Sequence, residues 1–336
     1  MNPSTGQMNL RLSLFIDGLT VAQSYEGRSL AVETTEFTSS GQVLPCLHLD
    51  YSVAVDPSPT LLGQEYVNHI LTEEGDLLLE TLSVLIGEPY RLLLFTATLD
   101  GQPVRYEPEA SRIISLRNHA SDLARLRPRP TSFHAAVTDF TWTTLETVVQ
   151  EFRARRTDAL KARIALPRRW FALGSAEMSS PQRLFAFWLS FNALYADPDT
   201  DGEKAQITTF IKKKLPPAVA TRYVQNQRQA LSNLAAFPIT LRRRRGLIQI
   251  AADLAAALAV EPSNPMEIVG KSLLTIYGVR SNLFHGEYDI TTANHFDQIT
   301  WAELLLSPLV RQLIAVEMLG HELPPGQYIE HIMTGL

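Results

Sequence analysis

The sequence predicts an α+β amino-terminal domain over residues 1–135, followed by an all-α helical bundle over residues 136–336. Three observations carry this division. Short alternating or β-branched runs dominate up to about residue 118, and longer amphipathic runs follow. The segment RLRPRPTSF, Arg125 to Phe133, sets two prolines between arginines, which disfavours helix and predicts an extended connector. Residues 1–135 carry 9 Lys+Arg against 16 Asp+Glu, whereas residues 136–336 carry 21 against 19, so a polyanion is expected to prefer the second part.

In the first part, LRLSLFI (residues 10–16), SLAVETTEF (29–37), CLHLDYSVAV (46–55) and YRLLLFTATLDGQPVRY (90–106) read as strands. Asp100-Gly101 in the last of these is a turn joining two strands. One helix is expected from Glu73 to Ile86. In the second part, helices are expected at about 140–160, 181–196, 203–215, 218–235, 245–260, 266–285 and 300–320. Ser180 is placed to cap the 181–196 helix, with Pro181 at its first position. The run LFAFWLSFNALYA that follows is apolar on nearly every side, which marks a central, buried helix. Asn192 within it reads as a buried amide, and Trp170, Trp188 and Tyr195 read as core rather than stacking platforms.

Composition limits the functional classes. No run reaches the ~20 apolar residues of a membrane span, and LRLSLFIDG is interrupted by Arg11 and Asp17, unlike a signal-peptide core. A cytoplasmic protein with no membrane partner is expected. The single cysteine, Cys46, excludes an internal disulfide and a multi-cysteine zinc site, and it reads as a small buried hydrophobe. The string VGKS at 269–272 lacks the first glycine of a phosphate-binding loop, because Pro265 stands there. His321-Glu322 and Glu330-His331 flank LPPGQYI, whose prolines prevent a helical His-Glu-x-x-His zinc motif. No serine sits in a Gly-x-Ser-x-Gly elbow. No cofactor or metal is therefore expected.

The stretch VRSNLFHGEYD, residues 279–289, places Arg280 and His285 near the end of the 266–285 helix. At about 100° per residue, Val269, Leu273, Ile276, Val279 and Leu283 form one apolar stripe. Tyr277, Ser281, His285 and Tyr288 gather on another side if the helix continues through Gly286. Arg280 and His285 diverge by about 140° on an ideal helix, so either the helix is distorted or a second chain completes the pair. The spacing alone decides nothing, since Arg129 and His134 repeat it in the proline-bearing connector.

The string YGVRSNLFHG, residues 277–286, following the buried FWLSFNALYA helix, resembles the HEPN superfamily and within it the Apea-like branch. Its ribonuclease members carry an arginine, four to six residues, then a histidine, commonly with a polar residue after the arginine; here these are Arg280, His285 and Ser281, with Asn282 beside it. The resemblance covers about residues 175–325. It implies a metal-independent endoribonuclease acting in defence or stress. Another branch has a tyrosine two positions after the histidine, whereas Tyr288 stands three positions after His285, so that branch's modified tyrosine is not implied.

The chemistry agrees with that implication. Cleaving RNA without a metal needs a base for the 2′-hydroxyl proton, a donor for the leaving 5′-oxygen and positive charge at the phosphorane. His285 exchanges protons near neutrality, Arg280 holds phosphate oxygens bidentately, and Asn282 or Ser281 could orient the histidine or the ribose. Tyr277 and Tyr288 are auxiliary candidates. Lys212, Lys213 and Lys214 end one expected helix, while Arg242, Arg243, Arg244 and Arg245 begin another, and both runs are candidate RNA contacts. The competing readings are a non-catalytic module that binds nucleotide, RNA or protein, with His285 exposed at a helix end and Arg280 tied to Glu287, and a regulator whose acidic first domain masks the basic second one. A homodimer through the helical domain is expected, as is a regulatory ligand of the first domain.

Overall fold

A computed structural model describes residues 6–17, 25–28, 30–37, 42–55, 76–86, 91–103, 139–154, 158–176, 179–196, 202–243 and 246–319. Two compact units divide the chain, Met1–Lys161 and Ala162–Leu336. The connector RLRPRPTSF, with Arg129 and His134, lies outside the described residues, as do His321-Glu322 and Glu330-His331.

The first unit is built on a six-stranded antiparallel sheet. Its strands are β1 (Gly6–Asp17), β2 (Tyr25–Glu26), β3 (Leu30–Phe37), β4 (Gln42–Val55), β5 (Arg91–Leu99) and β6 (Gln102–Pro103), in the order β2-β3-β4-β1-β5-β6. The four strand runs expected from alternation are all present. Asp100 and Gly101 both have positive φ, 47° and 77°, which is the backbone a two-residue hairpin turn with the right twist requires. Helix α1 (Asp76–Ile86) buries Leu82, Val84 and Leu85, and it packs on α2 (Asp139–Ala154), which buries Trp142 and Leu145. Tyr25 also donates to Glu146 of α2 at 2.7 Å. These contacts place α2 with the sheet, so the division between units falls later than the charge and proline signals predict. Cys46 is fully buried and unpaired, and burial pushes its thiol pKa up to about 12. It is the small buried hydrophobe that its context predicts.

The second unit is mostly helical. Its helices are α3 (Asp158–Ala176, which starts just before the division), α4 (Ser180–Tyr195), α5 (Glu203–Lys214), α6 (Pro217–Asn226), α7 (Arg228–Ala235), α8 (Ala251–Ala259), α9 (Pro265–Phe284) and α10 (Ala293–Leu319). Helix α4 packs along α10, and α9 packs against α5, α6, α8 and α10. The α4 cap is Ser179 in extended conformation, one residue before the expected Ser180. Leu184, Phe187, Trp188 and Phe191 are fully buried, while Phe185 stays exposed. Val269, Leu273, Ile276 and Val279 of α9 are fully buried, as their stripe predicts. At the start of α9, Pro265 takes the first position and Asn264 caps by accepting from the Glu267 N–H. The VGKS string lies inside α9, so it forms no loop.

Three elements differ from expectation. Helix α3 occupies a stretch between the expected 140–160 and 181–196 helices where none is expected, and it runs through Pro167, whose carbonyl accepts a bond from the Ser190 hydroxyl at 2.6 Å. The 218–235 helix is broken at Gln227 into α6 and α7. The expected 245–260 helix begins only at Ala251, because Thr240–Arg243 and Gly246–Gln249 form a hairpin of strands β7 and β8. The second unit is therefore not all-α. Ile239, Leu241 and Ile250 are buried, and Gly278 on α9 makes room for this segment, since a side chain there would meet Ile250 and Ile239. Helix α10 is long and apolar enough to cross a membrane by composition, but 78% of its most apolar window is buried inside the protein.

Candidate functional site

Helix α9 ends at Phe284, and His285 is its C-cap with φ −83° and ψ 4°. Gly286 follows with φ +70°, a conformation that glycine adopts without strain and that stops the helix. The helix thus does not continue through Gly286, and Tyr288 leaves the line it was expected to share with Tyr277, Ser281 and His285. His285 is exposed at the end of the helix. Its backbone N–H bonds back to the Ser281 carbonyl at 3.0 Å.

Arg280 turns the other way. Its guanidinium lies 4.8 Å from the Phe284 ring and 5.7 Å from the buried Trp188 ring, both within cation–π range. Its carboxylate is Glu203, the first residue of α5, at 3.7 Å, and not the expected Glu287, which is exposed. The Nε–H of Arg280 is buried and has no hydrogen-bond partner. No contact joins Arg280 to His285 among the described residues, so the divergence expected from the helical angle stands within one chain.

The residues between them are engaged elsewhere. Asn282 is buried, and its amide donates to the Thr240 carbonyl of β7 at 2.8 Å. It fastens the hairpin instead of orienting His285. Ser281 is buried in the same turn. Tyr288 donates to Gln298 and stacks on His295 with centroids 4.5 Å apart. Burial is the main cause that raises its phenol pKa. Replacement of Asn282 by alanine should therefore lower stability by about 1–3 kcal/mol, the cost of stranding a buried carbonyl. A thermal melt checks this, and an unchanged melting temperature would show the bond to be dispensable.

The sequence reading missed Glu203 and Tyr195. Tyr195, at the end of α4, donates to Glu203 at 2.7 Å, and the charge of the same carboxylate acts on Tyr277 of α9. Lys204 lies 5.5 Å over the Tyr277 ring. Burial, followed by the nearby Glu203, raises both phenol pKa values. An acidic residue opening a helix ordinarily reads as a dipole partner, so no sequence signal tied Glu203 to Arg280.

The basic runs part company. Lys212, Lys213 and Lys214 are exposed in the last turn of α5, and Lys214 pairs with Glu317 at 3.3 Å. Arg242 and Arg243 stand on β7 instead of opening a helix, because the alternating Ile239-Thr240-Leu241 segment is drawn into the hairpin; Arg244 and Arg245 lie outside the described residues.

On the sheet of the first unit, the His48 ring lies 2.8 Å from Ser13 Oγ through Nδ1 and 2.9 Å from Glu33 through Nε2. This serine, histidine and glutamate do not form a hydrolase site. Ser13 sits mid-strand on β1, whose backbone is paired to β4 on one side and β5 on the other, so the ladder offers no free N–H groups for an oxyanion. The three are cross-strand neighbours on one sheet face, next to the Arg11–Asp50 pair at 2.6 Å. Among the described residues, no group of three His, Cys, Asp or Glu side chains is placed to hold a metal. Comparison with protein-family models, curated proteins and solved structures finds no match to this chain.

Proposed function

We propose that the second unit is a HEPN-like helical domain acting as a metal-independent endoribonuclease, with Arg280 and His285 as its reacting pair. The observation that carries this reading is the state of Arg280. Two aromatic rings and a carboxylate hold its guanidinium, yet among the described residues its ion pair is long at 3.7 Å and its Nε–H has no acceptor. An arginine fixed in place with donors to spare suits the oxygens of a phosphodiester. His285, exposed at the end of the same helix, suits proton transfer. The reading is supported further by the motif resemblance around residues 277–286 and by the exposed lysines of α5 as backbone contacts. RNA is then the partner, and the expected setting is defence or stress.

The site is completed by a homodimer in this proposal. Phe185 and Phe284 are exposed, and their rings lie 5.1 Å apart, with Trp170 edge-on to Phe185. This aromatic patch borders Arg280, and a two-fold pairing of it would bring Arg280 of one protomer toward His285 of its partner. Mixing His285→Ala chains with Arg280→Ala chains tests the pairing. Half of the randomly formed dimers are hybrids with one intact site of two, so about a quarter of the wild-type activity should return. No recovery after subunit exchange would sink the composite site.

The second reading, a non-catalytic module that binds nucleotide, RNA or protein, is favoured by one observation. Arg280 and His285 do not meet within a chain, and Asn282 is committed to the hairpin. Cleavage of RNA in excess EDTA decides between the two.

A further inference from the structure

The long Arg280–Glu203 contact needs a physical reason, because an arginine and a carboxylate free to approach normally close to about 2.7–2.9 Å as a fork. Here the carboxylate is held by another donor. Glu203 Oε1 accepts the Tyr195 hydroxyl at 2.7 Å, and Arg280 Nη1 reaches only Oε2, at 3.7 Å. That separation exceeds a hydrogen bond, but the charges still attract. Trp188 ties the assembly together. Its ring lies 6.3 Å from Tyr195, 5.9 Å from Tyr277 and 5.7 Å from the guanidinium. The phenols and the arginine thus share one aromatic wall.

We propose that Glu203 is the positioning residue of this site: it aims Arg280 by charge while Tyr195 holds its Oε1, so the guanidinium keeps donors free for a phosphodiester. This rests on the nuclease reading and adds a division of labour to it. A carboxylate without this phenol would close on Arg280 and consume the donors that the phosphate needs. The phenol suits the task because an ordinary tyrosine is protonated and able to donate at neutral pH. Removing one hydroxyl therefore impairs a group it never touches.

The test is a double-mutant cycle on RNA cleavage in EDTA. Tyr195→Phe keeps the ring packed against Phe191, 4.7 Å away, and should raise KM by about tenfold with little change in kcat. Glu203→Gln alone should lower kcat through loss of aim without raising KM. Adding Glu203→Gln to Tyr195→Phe should return KM toward wild type, since no carboxylate remains to close on Arg280. Additive losses, or an unchanged KM in Tyr195→Phe, overturn the proposal. A readout independent of turnover is the 1H–15N signal of the Arg280 guanidinium in the full chain. It should move in Tyr195→Phe and move back in the double variant. A signal that stays fixed in Tyr195→Phe overturns the clamp, whereas a signal that moves in a protein that cuts no RNA supports the clamp and removes only the nuclease reading.

Discussion

Replacement of His285 by alanine is expected to lower RNA cleavage in excess EDTA by about a thousandfold, the middle of the range for losing a general acid or base. The melting temperature should stay close to wild type, because the ring is exposed at a helix end and no hydrogen bond holds it. Arg280 is part-buried against Trp188 and Phe284, so methionine is the better probe there: it keeps the packing and removes the charge. Arg280→Met should be as inactive as His285→Ala. Arg280→Lys should recover little, since a point charge does not reproduce a planar fork. Products should end in 2′,3′-cyclic phosphate, because the proposed attack uses the 2′-hydroxyl. Cleavage that stops on chelation, or survives in both variants, would refute the assignment.

The largest stability effect is expected at Trp188. Its side chain is fully buried and touches Phe191, Tyr195 and Tyr277, so Trp188→Ala should cost about 3–5 kcal/mol. Trp188→Phe should cost only about 1 kcal/mol. The buried indole N–H has no hydrogen-bond partner, so deleting it strands nothing. The phenylalanine variant is then folded but lacks the best aromatic surface for Arg280, and its RNA affinity should fall while its melt stays near wild type. Equal destabilisation by both substitutions in denaturant melts would show that the indole N–H is satisfied in solution.

Much of this arrangement was legible in the sequence where one period ruled. LRLSLFI and SLAVETTEF alternate, Asp100-Gly101 carries its own turn chemistry, and Val269, Leu273, Ile276 and Val279 repeat at helical spacing, so local pattern and tertiary burial agree. The failures lie where tertiary contacts outvote local signals. No helix is expected between residues 160 and 181, yet α3 forms there and runs through Pro167 with the Ser190 hydroxyl on its carbonyl. Four arginines beside an alanine-rich run read as the start of a helix, but the buried Ile239, Leu241 and Ile250 set a hairpin ahead of it. The polar stretch ANHFDQ hid the first turns of α10, because few of its residues are buried. At the candidate site the motif showed Arg280 and His285. It could not show Glu203, some seventy-seven positions earlier, because an ion pair between distant helices leaves no periodicity behind.

The bond from Asn282 to Thr240 carries a mechanical consequence. Two short strands are marginal by themselves in water, so β7 and β8 depend on what they lean against, and they lean on the helix that bears Arg280. Hairpin and helix should therefore open as one unit, with the amides of Leu241 and Ile248 expected to exchange with solvent at the pace of α9 rather than at the pace of a free ribbon. A ligand that steadied Arg280 would therefore be expected to slow amide exchange in the ribbon as well.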